Sequence, residues 1–413
     1  MAELPFLTAE LPGTGGVIKR QADDFVVEEI PLYRPSGTGT HLYLQIEKRG
    51  LTTEQAVEAV ARAAGVRRRD IGYAGLKDAR AVARQTLSVE HVEPDRLRKL
   101  AVPGLRILAL DRHTNKLKLG HLAGNRFAVR VREAVSDAAR RAEPVVEVLT
   151  HRGVPNYFGP QRFGLRGDNG CIGLAALRGD YDEAIALMLG RPNEADGEPI
   201  LSARRHFEAG DYRAAADAWP RVFRDRRRAC LAMGSNRGKT RRVWRSLDWH
   251  SRRMYLSALQ SALFNQVVAR RLGGIDRVLV GDLAQKHANR AVFRVEDAET
   301  EQPRCAAFEI SATGPLFGRR MTVPEGEPAA IEAAVLDEAG LSTELLSDQA
   351  SERIDGARRS LRVVAGEVEL ETGQDQHGPW LGLRFTLPPG AYATTLLREV
   401  CKHDHPALPN TES

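Results

Sequence analysis

The chain has 413 residues, with 60 Lys and Arg against 54 Asp and Glu, and a formal net charge of +6. Its length exceeds what one hydrophobic core normally serves, so we expect at least two domains. It contains no run of about eighteen apolar residues, and "MAELPFLTAELPGTGG" at the N-terminus lacks the regions of a signal peptide. These features predict a soluble, cytoplasmic protein and exclude a membrane-spanning class.

The cysteines and histidines give little support to a metal site or a disulfide framework. The four cysteines are Cys171, Cys230, Cys305 and Cys401, and they form no CxxC pair. The tail "CKHDH" places Cys401, His403 and His405 at alternate positions, but we interpret it as a solvated terminus. We therefore predict no bound metal.

The first 150 residues read as strands around one helix. The strand-like segments are "FVVEEI", "HLYLQIEK", "RILALDRH", "KLKLG" and "RFAVRVRE". A helix is predicted after Thr52, which forms a capping box with Gln55, and it ends at Gly65.

The last of these strands alternates in a regular way. Phe127, Val129 and Val131 are predicted to point inward, and Arg130 and Arg132 outward. This pattern is typical of an antiparallel sheet with one solvated face.

A short turn interrupts these strands in "GYAGLKDARAVARQTLSV", residues 72–89. It holds one carboxylate, Asp78, close to Lys77 and Arg80. Such a turn is either a salt-bridged loop or a catalytic site, and its local sequence leaves both interpretations open.

The middle of the chain is basic. Residues 221–253 contain twelve Lys or Arg and two acids, with Trp244 and Trp249 among them. Basic side chains neutralise phosphates and aromatic rings stack on unpaired bases, so we predict an RNA-binding surface that includes Arg241, Arg242, Trp244 and Arg245. The alternative is an Arg-rich solvated face.

The second half of the chain returns from helices to strands. In "MYLSALQSALFNQVVARRLGG", the residues Leu256, Leu259, Leu263 and Val267 share one face and predict a buried helix that ends near Gly273 or Gly274. The acidic stretch 325–355 reads as exposed helices and loops. "SLRVVAGEVELE" and "LGLRFTL" then predict strands and "YATTLLREV" a helix, so one domain is expected to combine both chain ends.

"GSNRGKT" at 234–240 imitates a phosphate-binding P-loop. That motif needs a glycine where Met233 stands, and no apolar strand precedes it. GxGxxG after a strand, HExxH and GxSxG are also lacking, so the ATPase, dehydrogenase, zinc hydrolase and serine hydrolase classes lose their support.

Several candidate binding residues lie at strand ends, and some of these lie beside glycine, where a ligand can approach the backbone closely. They are Phe25, Asn125, Phe127 and Tyr392. An aromatic residue at such a position is usually part of the core. Together with a basic surface, however, these residues indicate a pocket for a planar base.

Six segments also resemble, in order, the signature segments of the TruD family of tRNA pseudouridine synthases. They are "GYAGLKDARAVARQ", "KLKLGHLAGNRF", "PNYFGPQRFG", "LSALQSALFNQV", "FEISATGPLFG" and "LPPGAYATTLLRE". The resemblance implies an α+β protein: a pseudouridine synthase catalytic domain, a mixed and mainly antiparallel sheet with helices, made of 1–154 and 361–413. An α/β TRUD domain is inserted at 155–360, in a V-shaped monomer with RNA in the basic cleft.

The resemblance further implies a cofactor-independent isomerase that converts a uridine of transfer RNA, expected to be uridine-13, to pseudouridine after base flipping. Asp78 aligns with the catalytic aspartate, and Phe25, Asn125, Phe127 and Tyr392 belong to the substrate pocket. Lys19 matches a basic position expected to contact a phosphate. Lys77 or Arg80 is expected to keep the pKa of Asp78 low.

Two other classes remain as alternatives. A non-catalytic RNA-binding protein on the same fold needs the basic surface but not Asp78, and the intact "GLKDAR" argues against it. A P-loop ATPase acting on RNA predicts stabilisation by nucleotide, which the failed motif argues against.

Overall fold

The computed structural model describes residues 4–98, 100–346 and 352–403, and these form two compact units. The sheet unit consists of residues 6–154 and 363–403. The helical unit consists of residues 155–362 with residues 4 and 5. Within the described ranges, every helix is too short or too polar to cross a membrane.

The strands are β1 Gly15–Val17, β2 Phe25–Pro31, β3 His41–Arg49, β4 Gly72–Tyr73, β5 Val82–Glu90, β6 Leu105–His113, β7 Leu122–Ala134, β8 Val154–Pro155, β9 Leu283–Lys286, β10 Val292–Arg294, β11 Ile310–Leu316, β12 Ala357–Ser360, β13 Arg362–Val363, β14 Gly366–Asp375 and β15 Gly378–Leu387. The α-helices are α1 Thr53–Ala64, α2 Pro94–Arg98, α3 Ala138–Arg152, α4 Asn169–Leu177, α5 Tyr181–Leu189, α6 Ile200–Glu208, α7 Tyr212–Ala218, α8 Arg224–Ser235, α9 Thr240–Ser246, α10 Trp249–Arg271, α11 Ala298–Ala306, α12 Gly326–Glu338 and α13 Ala393–Cys401. Short 3-10 helices cover Ala22–Asp24, Arg68–Asp70, Pro160–Phe163, Glu194–Asp196, Leu272–Gly274 and Thr343–Leu346.

A nine-stranded sheet forms the sheet unit, in the order β14-β15-β7-β2-β5-β3-β6, with β1 added on β7 and β4 on β5. Strands β2 and β5 run parallel, and the other pairs of this sheet are antiparallel. The first and last parts of the chain thus share one sheet, because β15 pairs with β7. The predicted α+β class is confirmed.

Helix α1 covers part of one face of this sheet. Its predicted capping box is confirmed: Thr52 Oγ1 accepts from the Gln55 amide at 3.1 Å, and Gln55 Oε1 accepts from the Thr52 amide at 2.7 Å. The helix ends at Gly65, which has the left-handed conformation (φ 70°) that glycine adopts without strain. The buried side of α1 packs on apolar residues of β3 and β5.

Strand register brings several polar side chains onto this same face. Lys48 follows Leu44 and Ile46 of β3 at alternate positions, and Gln85 of β5 lies opposite Ile46. Side chains two residues apart share a face, so Lys48 and Gln85 point to the core side, and both are buried. Buried polar side chains at inward positions of otherwise apolar strands indicate that this part of the sheet does more than pack against the core.

Two details of the sheet unit differ from the sequence predictions. "KLKLG" is a loop before β7, where the Leu117 amide donates to Ser88 Oγ at 2.9 Å, so its strand-like alternation is misleading. Arg132 does not point to solvent but is buried in ion pairs with Asp24 and Asp375. Its outward assignment was wrong because the two carboxylates supply the partners that water would otherwise provide.

The helical unit combines a helical core with a four-stranded sheet in the order β10-β9-β11-β12. The buried helix predicted from "MYLSALQSALFNQVVARRLGG" is confirmed as α10, which ends at Arg271 before the Leu272–Gly274 turn. Gly173 of α4 lies so close to this helix that a Cβ atom would be 2.3 Å from the Tyr255 carbonyl oxygen. A side chain there would therefore separate α4 from α10.

The acidic stretch 325–355 is only partly exposed. Helix α12 lies within it, and Glu332 of this helix is buried in an ion pair with Arg358. The prediction of exposed helices was wrong for this residue because a carboxylate with a guanidinium partner can be buried. Residues 347–351 of this stretch and His405 of the tail lie outside the described residues.

Candidate active site

Asp78 lies in the turn between β4 and β5. Its Oδ1 accepts a hydrogen bond from the Arg80 backbone amide at 3.1 Å. Its side chain is 36% exposed, so the carboxylate is reachable from solvent although the surrounding turn is held from within. This combination of accessibility and a fixed backbone suits a reacting group.

A buried lysine fixes the backbone of this turn. The Lys48 ammonium donates to the carbonyl oxygens of Leu51 (2.6 Å), Lys77 (3.1 Å) and Asp78 (2.7 Å). Burial lowers the pKa of Lys48 to about 8, although the charge of Asp78 opposes this shift. Lys48 has three donors and all of them are used, so it acts as a positioning residue for Asp78.

The charged partner of Asp78 is Lys19, whose ammonium contacts Asp78 Oδ2. Burial raises the pKa of Asp78, but the positive charge of Lys19 and its hydrogen bond, helped by the Arg80 amide, lower it below the ordinary value. Asp78 is therefore ionised at neutral pH. The lowered pKa agrees with the expectation from the sequence, but its main source is Lys19, which was not expected. Of the two expected residues, Arg80 contributes through its backbone amide, whereas the Lys77 ammonium points to Glu29 and Asn125.

Lys77 instead joins Glu29 and Asn125. Its ammonium lies 3.2 Å from Glu29 Oε2 and donates to Asn125 Oδ1 at 2.7 Å. Glu29 and Asn125 lie directly opposite each other on β2 and β7. Burial raises the pKa of Glu29, while the charge of Lys77 and the Thr86 amide oppose that rise.

This contact fixes which way the Asn125 amide points. A lysine ammonium only donates, so the atom facing it must be the oxygen of Asn125. The amide nitrogen, Nδ2, has no hydrogen-bond partner among the described residues and remains a donor. The site thus presents an oriented N–H group on the same face of the sheet as Glu29.

Phe25 and Phe127 form an aromatic wall beside this group. Their ring centroids lie 6.1 Å apart in an edge-to-face arrangement, and Phe127 also stacks on Phe385 at 5.2 Å. The Lys19 ammonium lies 4.4 Å from the centroid of the Phe25 ring. Both Phe25 and Phe127 are almost completely buried, at 5% and 6% exposure, so most of each ring belongs to the core.

Tyr392 lies at the N-terminal cap of α13 and is half-buried. It follows β15 by five residues, and the last residue of β15, Leu387, pairs with Asn125. Tyr392 therefore lies only a few residues along the chain from the strand position that pairs with Asn125.

Three of the four residues predicted to form an RNA-binding surface in the helical unit are exposed. Arg241, Arg242 and Arg245 of α9 are exposed. Trp244 is fully buried, where its Nε1 donates to Glu352 at 2.8 Å, so its assignment to this surface was wrong. Trp249 is the exposed ring of this segment, at 52%, and the Arg253 guanidinium lies 4.8 Å from its centroid.

The residues that sequence reasoning missed are Lys48, Glu29 and the pairing role of Lys77. The inward register of Lys48 in "HLYLQIEK" was a usable signal, because it follows Leu42, Leu44 and Ile46 at alternate positions. Nothing local indicated the contact between Lys19 and Asp78, which are 59 residues apart. Among the described residues, no three His, Cys, Asp or Glu side chains are grouped to hold a metal ion.

Comparisons with known proteins identify the class. The family model described as "tRNA pseudouridine synthase D (TruD)" matches residues 2–400. Proteins named tRNA pseudouridine synthase D are 48% identical in Geobacter sulfurreducens, over 96% of both chains, and 40% identical in Thermus thermophilus, over 96% of this chain and 92% of that one.

A solved structure agrees with these sequence matches. The crystal structure titled as a putative tRNA pseudouridine synthase D (TruD) from Methanosarcina mazei superposes with a TM-score of 0.80. It is 26% identical and covers 97% of this chain and 96% of that chain. The fold and the matches together define a pseudouridine synthase, an isomerase. Within that class, the chain belongs to the TruD family.

Proposed function

We propose that this protein isomerises uridine to pseudouridine in transfer RNA, at uridine-13, with Asp78 as the catalytic carboxylate. The observation that carries the proposal is the ionised, solvent-reachable Asp78 carboxylate on a turn fixed by Lys48, in a chain whose relatives are named for this reaction. The sheet unit would be the catalytic domain and residues 155–360 the inserted TRUD domain. The enzyme would act as a cytoplasmic monomer without a cofactor.

Asp78 has two chemical roles that fit an ionised carboxylate. It would act as a nucleophile toward ribose C1′ or base C6, or as the base that removes the C2′ proton to form a glycal. Both roles need the deprotonated form, which the charge of Lys19 favours.

Asn125 would recognise an acceptor on the flipped nucleotide. Because Lys77 holds its oxygen, the free Nδ2 group donates, and uracil carries carbonyl oxygens at its edge. Cytosine has an amino group in place of one carbonyl, so a donor at that position discriminates between the two bases.

The aromatic residues would share the binding of the base unequally. Phe25 and Phe127 are mostly covered by each other, by Phe385 and by Lys19, so they would form the wall of the pocket. Tyr392 is half-buried and therefore more exposed than Phe25 and Phe127, which suits a ring that stacks on the base. Lys19 uses one of its three donors on Asp78, so it would keep that carboxylate ionised and could contact an RNA phosphate with another.

Arg241, Arg242 and Arg245 would bind the RNA backbone. Their exposed guanidinium groups suit phosphate oxygens, and Trp249 offers a stacking surface close by. Changing both Arg241 and Arg242 to Glu is expected to weaken tRNA binding and flatten its salt dependence. The matched control is Arg213→Ala, an exposed arginine on α7. If the double variant binds tRNA with the affinity of the parent, this surface does not contact the RNA.

The reaction and its position are tested together by mapping pseudouridine in unmodified tRNA treated with the purified protein. We expect a single new pseudouridine, at position 13. Modification at another position would support the proposed reaction but refute uridine-13 as its target. If no tRNA is modified, the proposed reaction itself is refuted.

A further inference from the structure

A cavity in the sheet unit, outside the residues discussed so far, has the lining of an anion site. Its volume is ≈ 540 Å³, and five of its lining residues are basic: His41, His113, Lys116, Lys118 and His121. The other two lining residues are Tyr33 and Asn115, so no carboxylate is part of this wall. We name this feature the histidine pocket.

The histidine pocket offers at least two donors. His113 Nδ1 accepts from the Ser36 amide at 3.3 Å, so a neutral His113 carries its proton on Nε2. The Tyr33 hydroxyl lies 2.9 Å from His121 Nδ1, so His121 Nε2 carries a proton when Tyr33 is the donor of this bond or when the ring is protonated. His113 thus presents an N–H group, and the Lys118 side chain is exposed beside it.

The rest of the pocket is held in place by its own contacts. The Tyr33 ring stacks on His113 with centroids 5.0 Å apart, and Lys116 donates to the Arg69 carbonyl at 2.8 Å. His41 is 7% exposed, and its buried Nδ1 has no hydrogen-bond partner among the described residues. Three carboxylates lie nearby. Glu90 is 3.5 Å from His41 Nε2, and Asp111 and Glu29 line the neighbouring pocket with Tyr33 and His121.

We propose that the histidine pocket binds a backbone phosphate of the substrate tRNA, several nucleotides away from the flipped one. The proposal rests on the proposed function for the identity of the RNA. A phosphate group is an acceptor at every oxygen and carries negative charge, so it matches a wall of N–H donors and ammonium groups.

The position of the pocket fits this role. His121 precedes Asn125 by four residues and Tyr33 follows Glu29 by four, and Asn125 and Glu29 are paired across β7 and β2. Four residues of strand extend about 13 Å. His41 begins β3, and Lys48, which holds the Asp78 backbone, follows seven residues later, so roughly 20 Å of strand separate the pocket from the turn of Asp78. A segment of several nucleotides would span such a distance, so one RNA strand would reach both sites.

The test is equilibrium binding of unmodified tRNA at several salt concentrations to the full-length protein, the double variant Lys118→Ala/His121→Ala and the control Arg213→Ala. Loss of one phosphate contact is expected to reduce the slope of log affinity against log salt by about 0.7 to 0.9. Affinity at moderate salt should fall about fivefold to tenfold, while Arg213→Ala should match the parent. Thermal unfolding confirms that each variant is folded.

Affinity and salt slope equal to the parent in the folded double variant would overturn the proposal. A second arm titrates inorganic phosphate and follows thermal unfolding. If phosphate stabilises the parent but not the double variant, and tRNA affinity is unchanged, the pocket binds free phosphate. The proposal that it binds a phosphate of tRNA is then refuted. Binding is measured without turnover, so this result is independent of whether Asp78 is catalytic.

Discussion

Replacing Lys77 by methionine separates the structural and functional roles of the buried Lys77, Glu29 and Asn125 cluster. Lys77 and Glu29 are 6% and 3% exposed, and their charged atoms lie 3.2 Å apart. Removing one partner of a buried pair leaves the other charge without compensation, which costs about 3 to 5 kcal/mol. Lys77→Met is therefore expected to lower the free energy of unfolding by that amount in urea denaturation.

The second change, Glu29→Gln, removes the uncompensated charge. The double variant Lys77→Met/Glu29→Gln should recover stability to within about 1 kcal/mol of the parent, because no buried ion is left. It should not recover activity. Without the lysine donor at 2.7 Å, the Asn125 amide is free to turn, which would weaken the hydrogen bond that we propose it donates to the uridine.

The loss of one oriented hydrogen bond corresponds to about 1.4 kcal/mol, or tenfold in kcat/KM. The assay is release of tritium from C5-labelled uridine in tRNA, measured for the double variant and for Glu29→Gln alone. Glu29→Gln keeps the contact between Lys77 and Asn125 and should stay within a few-fold of the parent. If the stable double variant has the kcat/KM of the parent, Lys77 does not set the orientation of Asn125.

Two further predictions concern Lys19 and the tryptophans. Lys19 lowers the pKa of Asp78, so in Lys19→Met the acid limb of the pH profile of kcat/KM should begin at a higher pH. Lys19→Arg keeps the positive charge and should retain the profile of the parent. If the acid limb of Lys19→Met does not move, the proposed effect of the ion pair on Asp78 is contradicted. Trp244→Ala should lower the free energy of unfolding by about 3 to 5 kcal/mol because the ring is buried. Trp249→Ala should keep the stability of the parent and weaken tRNA binding. A stable Trp244→Ala variant with weakened tRNA binding would contradict this assignment.

Local signals in the sequence were sufficient for most of the secondary structure. Helix α1 was predictable from Thr52, Gln55 and Gly65, because capping depends on neighbours within a few residues. "KLKLG" shows the limit of such signals. Its alternation resembles a strand, but in this loop Leu117 bonds to Ser88 and Lys116 to the Arg69 carbonyl.

The candidate site depends on contacts between distant parts of the chain, and these were only partly predictable. The motif around Asp78 indicated the candidate catalytic carboxylate, but not that Lys19 would be its charged partner. Lys48 was within reach, since its inward register follows from simple alternation along β3. Trp244 was misassigned because the density of charge in 221–253 does not say which side of α9 faces the core.

The catalytic role of Asp78 is the central claim, and Asp78→Asn tests it most directly. The amide keeps the size of the side chain but loses the negative charge and the basicity that both proposed routes need. The measurement is tritium release from C5-labelled uridine in tRNA, together with the affinity for tRNA. We expect release to be abolished while affinity stays within a few-fold of the parent; substantial turnover by Asp78→Asn would contradict the assignment.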